Sequence, residues 1–299
     1  MSTRQEIGTA APRRPVRVIR SDGAGVVVSD DDNSLFAPFT LAWRRRHLLR
    51  RLARRDVEQR FRGSVLGKVW LVVGPLFMLT LYTIAFGLLL KPKWQESVSS
   101  PAEIAMIYFS GLIVFDFFME CVNRAPNLMF EHITYIKKMV FPLEILAWVA
   151  VGSALARLLV GSVLLSIMYV ALRGLPPLAV LAVPLLMVML GIVALGFVWL
   201  LTSIAVFVRD IRHLLAVLMP IFMFLTPVFF PLSSAPKFAQ VLLYANPLTF
   251  ILEGVRAALF EGAWPNWFGV IAYIAGAVLF AWAAFRLFRR LREGFADVL

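Results

Sequence analysis

Cysteine is nearly absent from this chain. Cys121 stands alone, so no internal disulfide can staple the fold. Histidine is almost as rare: His47, His132 and His213 all fall on polar connections, and none has a second ligand at metal-binding spacing. They read as surface or interface residues. No clustered nucleophile, base or metal set is visible, which argues against an enzyme and predicts no cofactor bound to this chain. The run Gly63-Ser64-Val65-Leu66-Gly67-Lys68-Val69 superficially resembles a nucleotide phosphate loop. It has one residue too few between its glycines, Val69 where a hydroxyl must meet magnesium, and no preceding strand. Its glycines fit a small-residue packing face instead. No repeat of about 20 to 50 residues is present, which argues against an inverted-repeat secondary transporter. Residues 1–34 hold no apolar core of signal-peptide length. With Pro12, Pro15, Gly23, Gly25 and the Asp30-Asp31-Asp32 run, segment 1–35 is expected to be a disordered tail, with Val26–Val28 as an optional short strand or docking segment.

Charged residues are scarce too, at 16%, against 60% apolar residues and a mean hydropathy of +0.80. A soluble domain of this size does not carry that balance, so the chain reads as an integral membrane protein. Its net charge of +12 does not point to nucleic acid, because the charge sits beside membrane spans. From Trp43 to Arg62, Leu49, Leu52, Ala53, Val57 and Phe61 recur at steps of three and four, and arginines fill most other places. This predicts a basic amphipathic helix within segment 36–68, lying on an anionic membrane face through Trp43, Arg45, Arg50 and Arg54. It runs into Val69–Leu90, an uncharged stretch long enough to cross a bilayer core of about 30 Å. Further spans are expected at Ile104–Val122, Ile145–Leu172, Leu178–Val208, Leu214–Leu232 and Trp267–Phe285. The predicted fold is therefore all-α, with six transmembrane helices in segment 69–290 and a C-terminal tail at 291–299. Lys and Arg number twenty-four on the segments that six spans place with the termini, and five on the opposite set. Both termini are thus expected in the cytoplasm.

Three charges fall inside spans, Asp116, Glu120 and Arg157, of which Asp116 and Arg157 lie away from the surface. Each costs a few kcal/mol at membrane depth, about 3, unless compensated. Asp116 and Arg157 are expected either to pair and lock the second and third spans together or to line a water-filled path. Glu120 lies near enough to the surface to require no special role. Pro220, Pro227 and Pro231 interrupt the fifth span. Each proline removes a backbone hydrogen bond, and membranes tolerate this only where protein or water covers the freed carbonyls. A pathway-lining or moving helix is expected there. The aromatic residues of the first, second and fifth spans are packing or lipid-facing residues for the most part, and a subset could stack on sugar rings.

Four stretches, in order, resemble a known family. Arg60-Phe61-Arg62-Gly63-Ser64-Val65-Leu66-Gly67 followed by Trp70 and Pro75 is similar to the entry to the first span in bacterial ABC-2 type permeases that export O-antigen, capsule or teichoic acid. Tyr135–Pro142, Val208-Arg209-Asp210-Ile211, and Asn246-Pro247 with Glu253-Gly254-Val255-Arg256 also match, over roughly residues 38–290. The resemblance implies a type V exporter transmembrane domain in the bacterial inner membrane, pairing with an identical copy and with two separate ATPase subunits that bind ATP and magnesium. It implies that Glu131, His132, Tyr135, Lys137 and Lys138 dock on the ATPase, together with Arg209, Asp210 and Arg212. It implies that the first and fifth spans line the conduit, with Phe77, Tyr82, Phe86, Phe222, Phe229 and Phe230 as the lining aromatics. Ala235–Glu261 would form short helices at the outer mouth. The cargo would be a polysaccharide on a lipid carrier. An ABC-2 permease for drugs or lipids is the alternative within transport. A membrane-embedded transferase on lipid-linked sugars would require acidic or histidine clusters that the sequence does not display.

Overall fold

The structure is a computed structural model that describes residues 18–19, 27–28, 34–82, 84, 101–133 and 141–298. The chain divides into two units, Met1–Ser34 and Leu35–Leu299. In the first, β1 (Val18–Ile19) pairs antiparallel with β2 (Val27–Val28), placing Val18 opposite Val28 and Ile19 opposite Val27. Val27–Val28 thus takes the strand option that the valine run left open.

The second unit begins with the basic segment, which is two helices rather than one. α1 (Ala37–Arg44) and α2 (Arg46–Arg60) meet at Arg45, whose backbone leaves the helical region. On α2, Leu49, Leu52, Ala53 and Val57 are half-buried, while Arg50, Arg51, Arg54 and Arg55 face outward. The apolar stripe therefore packs in part on protein. Gly63 and Gly67 turn the chain into α3 (Trp70–Tyr82) with φ of +86° and +52°, a left-handed geometry that disfavours any side chain. These glycines serve a turn.

Four helical stretches among the described residues are long and apolar enough to cross a membrane: Ala102–Glu131, Ile145–Arg173, Leu178–Phe207 and Trp267–Gly294. They contain α4 (Pro101–Arg124), α5 (Ile145–Arg173), α6 (Val183–Phe207) and α10 (Trp267–Leu291). The core lies where these pack together. Trp199 is fully buried there, its ring against Trp148 and Phe285, and its indole N–H donates to the Glu144 carbonyl at 3.2 Å. α6 and α10 approach closely because Gly196 has no side chain: a Cβ there would lie 2.6 Å from the Phe280 ring.

The expected fifth span, Leu214–Leu232, is not one continuous helix. α7 (Ile211–Phe224) has 14 residues, about 21 Å at 1.5 Å per residue, and stops before Pro227. After the turn come two short helices, α8 (Lys237–Ala245) and α9 (Pro247–Arg256), the latter running on to Glu261; the pair bends by 97°. The first expected span is described as far as Tyr82, with residue 84 beyond it.

Contacts sort the connections of this unit into two ends. At one, which we call the basic end, the Trp148 indole donates to Pro38 O at 3.2 Å, and Arg292 pairs with Glu144 at 2.5 Å. Thr202 Oγ1 donates to Ala125 O at 2.9 Å there as well. Within the expected tail, 291–299, Phe295 is buried against Phe207 and Phe288. At the opposite end Arg173 pairs with Glu103 at 3.0 Å, and Tyr169 donates to Leu259 O at 2.8 Å.

Candidate functional site

Charge gathers at the basic end, between α2 and the spans. α2 is strongly basic, yet its one buried residue is an acid, Asp56. Arg124, the last residue of α4, forks onto it: Nη1 lies 2.5 Å from Oδ2, and Nη2 donates to Oδ1. The same guanidinium donates to Ser153 of α5 at 3.1 Å and to Glu131 at 3.2 Å. One arginine therefore ties α2, α4 and α5 together. Burial alone would raise the Asp56 pKa, but the hydrogen bond and charge of Arg124, with help from Ser153 and Arg60, outweigh it, and the carboxyl titrates below its ordinary value of 3.8. Arg60, a turn along α2, lies 3.6 Å from Asp56, donates to Ser153 at 3.3 Å and bonds Glu120 of α4. These groups line a cavity of about 740 Å³, which Asp116, Asn123, His132 and Arg157 also reach.

Two expectations change here. Arg157 pairs with Glu120, at 3.4 Å, and not with Asp116. Glu120 is one helical turn nearer the basic end than Asp116, and the long arginine side chain leans that way, so the residue set aside as unremarkable is the hub. Asp116 is exposed to the cavity and has no ion-pair partner among the described residues. Asp56 escaped the sequence reading altogether. Its signal was present: it is one of two acids among the arginines of α2, and it falls at helical spacing on the stripe of Leu49, Leu52 and Ala53, whereas Glu58 faces outward beside Arg54. Among the described residues, no group of three or more His, Cys, Asp or Glu side chains could hold a metal ion.

A second polar constellation repairs the break after α7. The turn frees the carbonyls of Leu225, Pro227 and Val228. Asn246, at the start of α9, caps that helix by accepting from Leu248 N at 2.8 Å, while its amide donates to Leu225 O and to Thr226 Oγ1, both at 2.8 Å. Arg256 is buried and donates to Pro227 O at 2.6 Å and Val228 O at 2.5 Å. It fits because Gly111 of α4 leaves room; a Cβ there would come within 2.9 Å of its guanidinium. The expectation that protein covers the freed carbonyls is met by Asn246 and Arg256, residues of the Asn-Pro and Glu-Gly-Val-Arg stretches.

The remaining expected residues are placed as follows. Trp43, Arg45, Arg50 and Arg54 are exposed, Arg54 paired with Glu58 at 3.0 Å. The Glu131 and Arg209–Arg212 segments are neighbours, because Arg212 stacks on Phe130, 4.0 Å from the ring centre. His132 contacts Leu128 O at 3.0 Å, and Arg209 and Asp210 are exposed. Phe77 is exposed on α3. Phe229 is turned inward against Tyr108, Phe222 packs on Phe115 and Phe118, and Phe230 is half-buried. Phe222, on α7, and Phe229, in the turn after it, thus both pack against α4. Phe86, Tyr135, Lys137, Lys138 and the side chain of Tyr82 lie outside the described residues.

Residues 47–260 match the family described as ABC-2 type transporter. The chain is 26% identical over 254 residues to the O-antigen export system permease protein RfbA of Myxococcus xanthus, covering 84% of this chain and 95% of that protein. Two proteins of the same name from Klebsiella pneumoniae are 24% and 25% identical, each covering 83% of this chain and 93% of their own length.

Proposed function

The chain belongs to the ABC-2 type transporter family and is a multi-pass membrane protein, and from that premise we propose that it is the transmembrane permease subunit of an exporter that moves a cell-surface polysaccharide, carried on a lipid, across the bacterial inner membrane. ATP and magnesium are handled by a separate ATPase subunit, present in two copies, and the permease pairs with an identical copy. The observation that carries this reading is the likeness, along more than four fifths of the chain, to permeases named for O-antigen export.

The geometry supports each part. Exposed apolar side chains run along α3 (Trp70, Leu76, Phe77) and α7 (Leu214, Val217, Ile221, Phe224), faces that a second copy would cover. The short α7 and the bent α8–α9 pair place irregular backbone beside a path for a hydrated glycan, which hydrocarbon cannot admit. Phe77, Tyr82 and Phe86 are the aromatics assigned to that path. Glu131, His132, Tyr135, Lys137 and Lys138 form the ATPase contact with Arg209, Asp210 and Arg212, at the end rich in Lys and Arg, which faces the cytoplasm. Arg124 and Arg212 then carry motion from that contact into α2, α4 and α7.

Deleting the gene and scoring surface glycan tests the reading. Loss of surface polysaccharide with accumulation inside the cell, restored by this chain, is the expected result. Unchanged surface glycan would contradict it. Reversing both Lys137 and Lys138 to Glu should leave the ATPase hydrolysing ATP without export; unimpaired export would remove those residues from the contact.

A further inference from the structure

The cavity beneath α2 holds an imbalance. Glu120 serves two cations: Arg60 of α2 bonds one of its oxygens, and Arg157 of α5 lies 3.4 Å from the other. Four residues earlier on the same helix, Asp116 faces the same cavity and has no ion-pair or hydrogen-bond partner among the described residues. Residues four apart on a helix share a face, here about 6 Å apart along the axis. The Arg157 side chain is 45% exposed, whereas that of Glu120 is 10% exposed. Arg157 therefore has free space around it, and the vacant carboxylate lines that space.

From this geometry we propose that Arg157 has two seats on α4, Glu120 and Asp116, and that exchange between them is a step of the working cycle. In the observed arrangement Glu120 joins α2, α4 and α5. In the other, Arg157 sits on Asp116, one turn farther from the basic end, and Glu120 keeps Arg60 alone. Each carboxylate then has one cation, so the two arrangements conserve the number of paired cations and differ in which helices are tied. Interior charges at membrane depth require a partner or water, and the cavity supplies water to whichever carboxylate lacks its arginine. A packed pair of helices with two discrete pairings is the kind of bistable element through which a surface event reaches the spans. Asp116 is thus a positioning residue acting through Arg157. The proposal rests on the placement of these residues and holds for any cargo.

Thermal melting of purified variants tests it without transport. The pairwise coupling between Asp116→Asn and Arg157→Met is measured twice, once in the native background and once with Glu120→Gln. With Glu120 present, Arg157 occupies its first seat and the coupling is only the weak one of charges that are near but not in contact. With Glu120→Gln, Arg157 moves to Asp116, and a coupling of a few degrees in melting temperature appears. Coupling no larger in the Glu120→Gln background than in the native one would overturn the proposal. Should the triple variant fail to fold, Asp116→Glu in the Glu120→Gln background replaces it. Retention of the Glu120→Gln melting point there supports a second seat that accepts a longer carboxylate, and collapse contradicts it. In cells, Asp116→Asn should fold and melt no lower than the native protein yet lose export at least tenfold, because it strands Arg157 on Glu120, while Asp116→Glu restores export. Native export by Asp116→Asn would show that the second seat is not used.

Discussion

Two parts of the membrane unit solve the same problem in opposite ways. α4, α5, α6 and α10 run unbroken, satisfy their own backbone hydrogen bonds, and bury a dense core around Trp199. α7, α8 and α9 are short and bent, and rely on side chains, Asn246 and Arg256, to cover carbonyls that the turn after α7 exposes. The first part is held by packing, which yields only when a side chain is removed. The second is held by a few donors, which can let go and return. The contrast separates a part held by packing from a part held by a few donors, and the charged cluster at α2 fastens to the first through α4 and α5.

The largest effect should come from damage to the unbroken part. Trp199→Ala leaves a cavity where three aromatic rings meet and removes the bond to Glu144 O, and should cost about 3–5 kcal/mol, seen as a large fall in melting temperature of the whole unit. Next comes the α2 attachment. Arg124→Met strips the forked partner from Asp56, with Arg60 left as partial cover, and should cost up to about 3 kcal/mol. Freeing of α2 would be read as increased proteolysis after Arg50 or Arg51, with the spans still helical. Arg256→Met should cost about 1–3 kcal/mol for the carbonyls it abandons, and the damage should stay local. Faster amide exchange across 225–245 with little change at α6 is expected; uniform loss of protection would erase the distinction between the two parts. The smallest effect is at Arg54→Ala, which removes an exposed pair with Glu58 and should change stability by less than about 0.5 kcal/mol.

Acid offers a graded version of the α2 test. The Asp56 carboxyl titrates below its ordinary value, so its contribution is complete above pH 3.8 and disappears as pH falls through its lower folded value. α2 should loosen in that window, and Asp56→Asn should abolish the step while weakening attachment at neutral pH.

Much of this was legible in residue order. Long apolar runs declared the four unbroken spans, because a helix in lipid satisfies its backbone internally. The arginine-rich stretch declared a surface helix, though not its division at Arg45, which no residue type enforces. Prolines 220, 227 and 231 announced a broken fifth segment, but which donors would repair it depends on residues 246 and 256, brought there by the bend between α8 and α9. The charge pairing was the least legible feature. Helix rise placed Asp116 and Arg157 within reach of each other, and only the side-chain direction decided for Glu120. Phe222 and Phe229 follow the same rule: the face that α7 turns to α4, and the direction of the turn after α7, set both rings against α4, and composition encodes neither.

The proposed division of labour gives the path to this polypeptide and the energy to a separate subunit. Purified permease in liposomes, loaded with lipid-linked glycan and ATP, measures it directly, with and without the partner ATPase. Translocation is expected only when both proteins and hydrolysable ATP are present. Translocation or ATP turnover by the permease alone would contradict it.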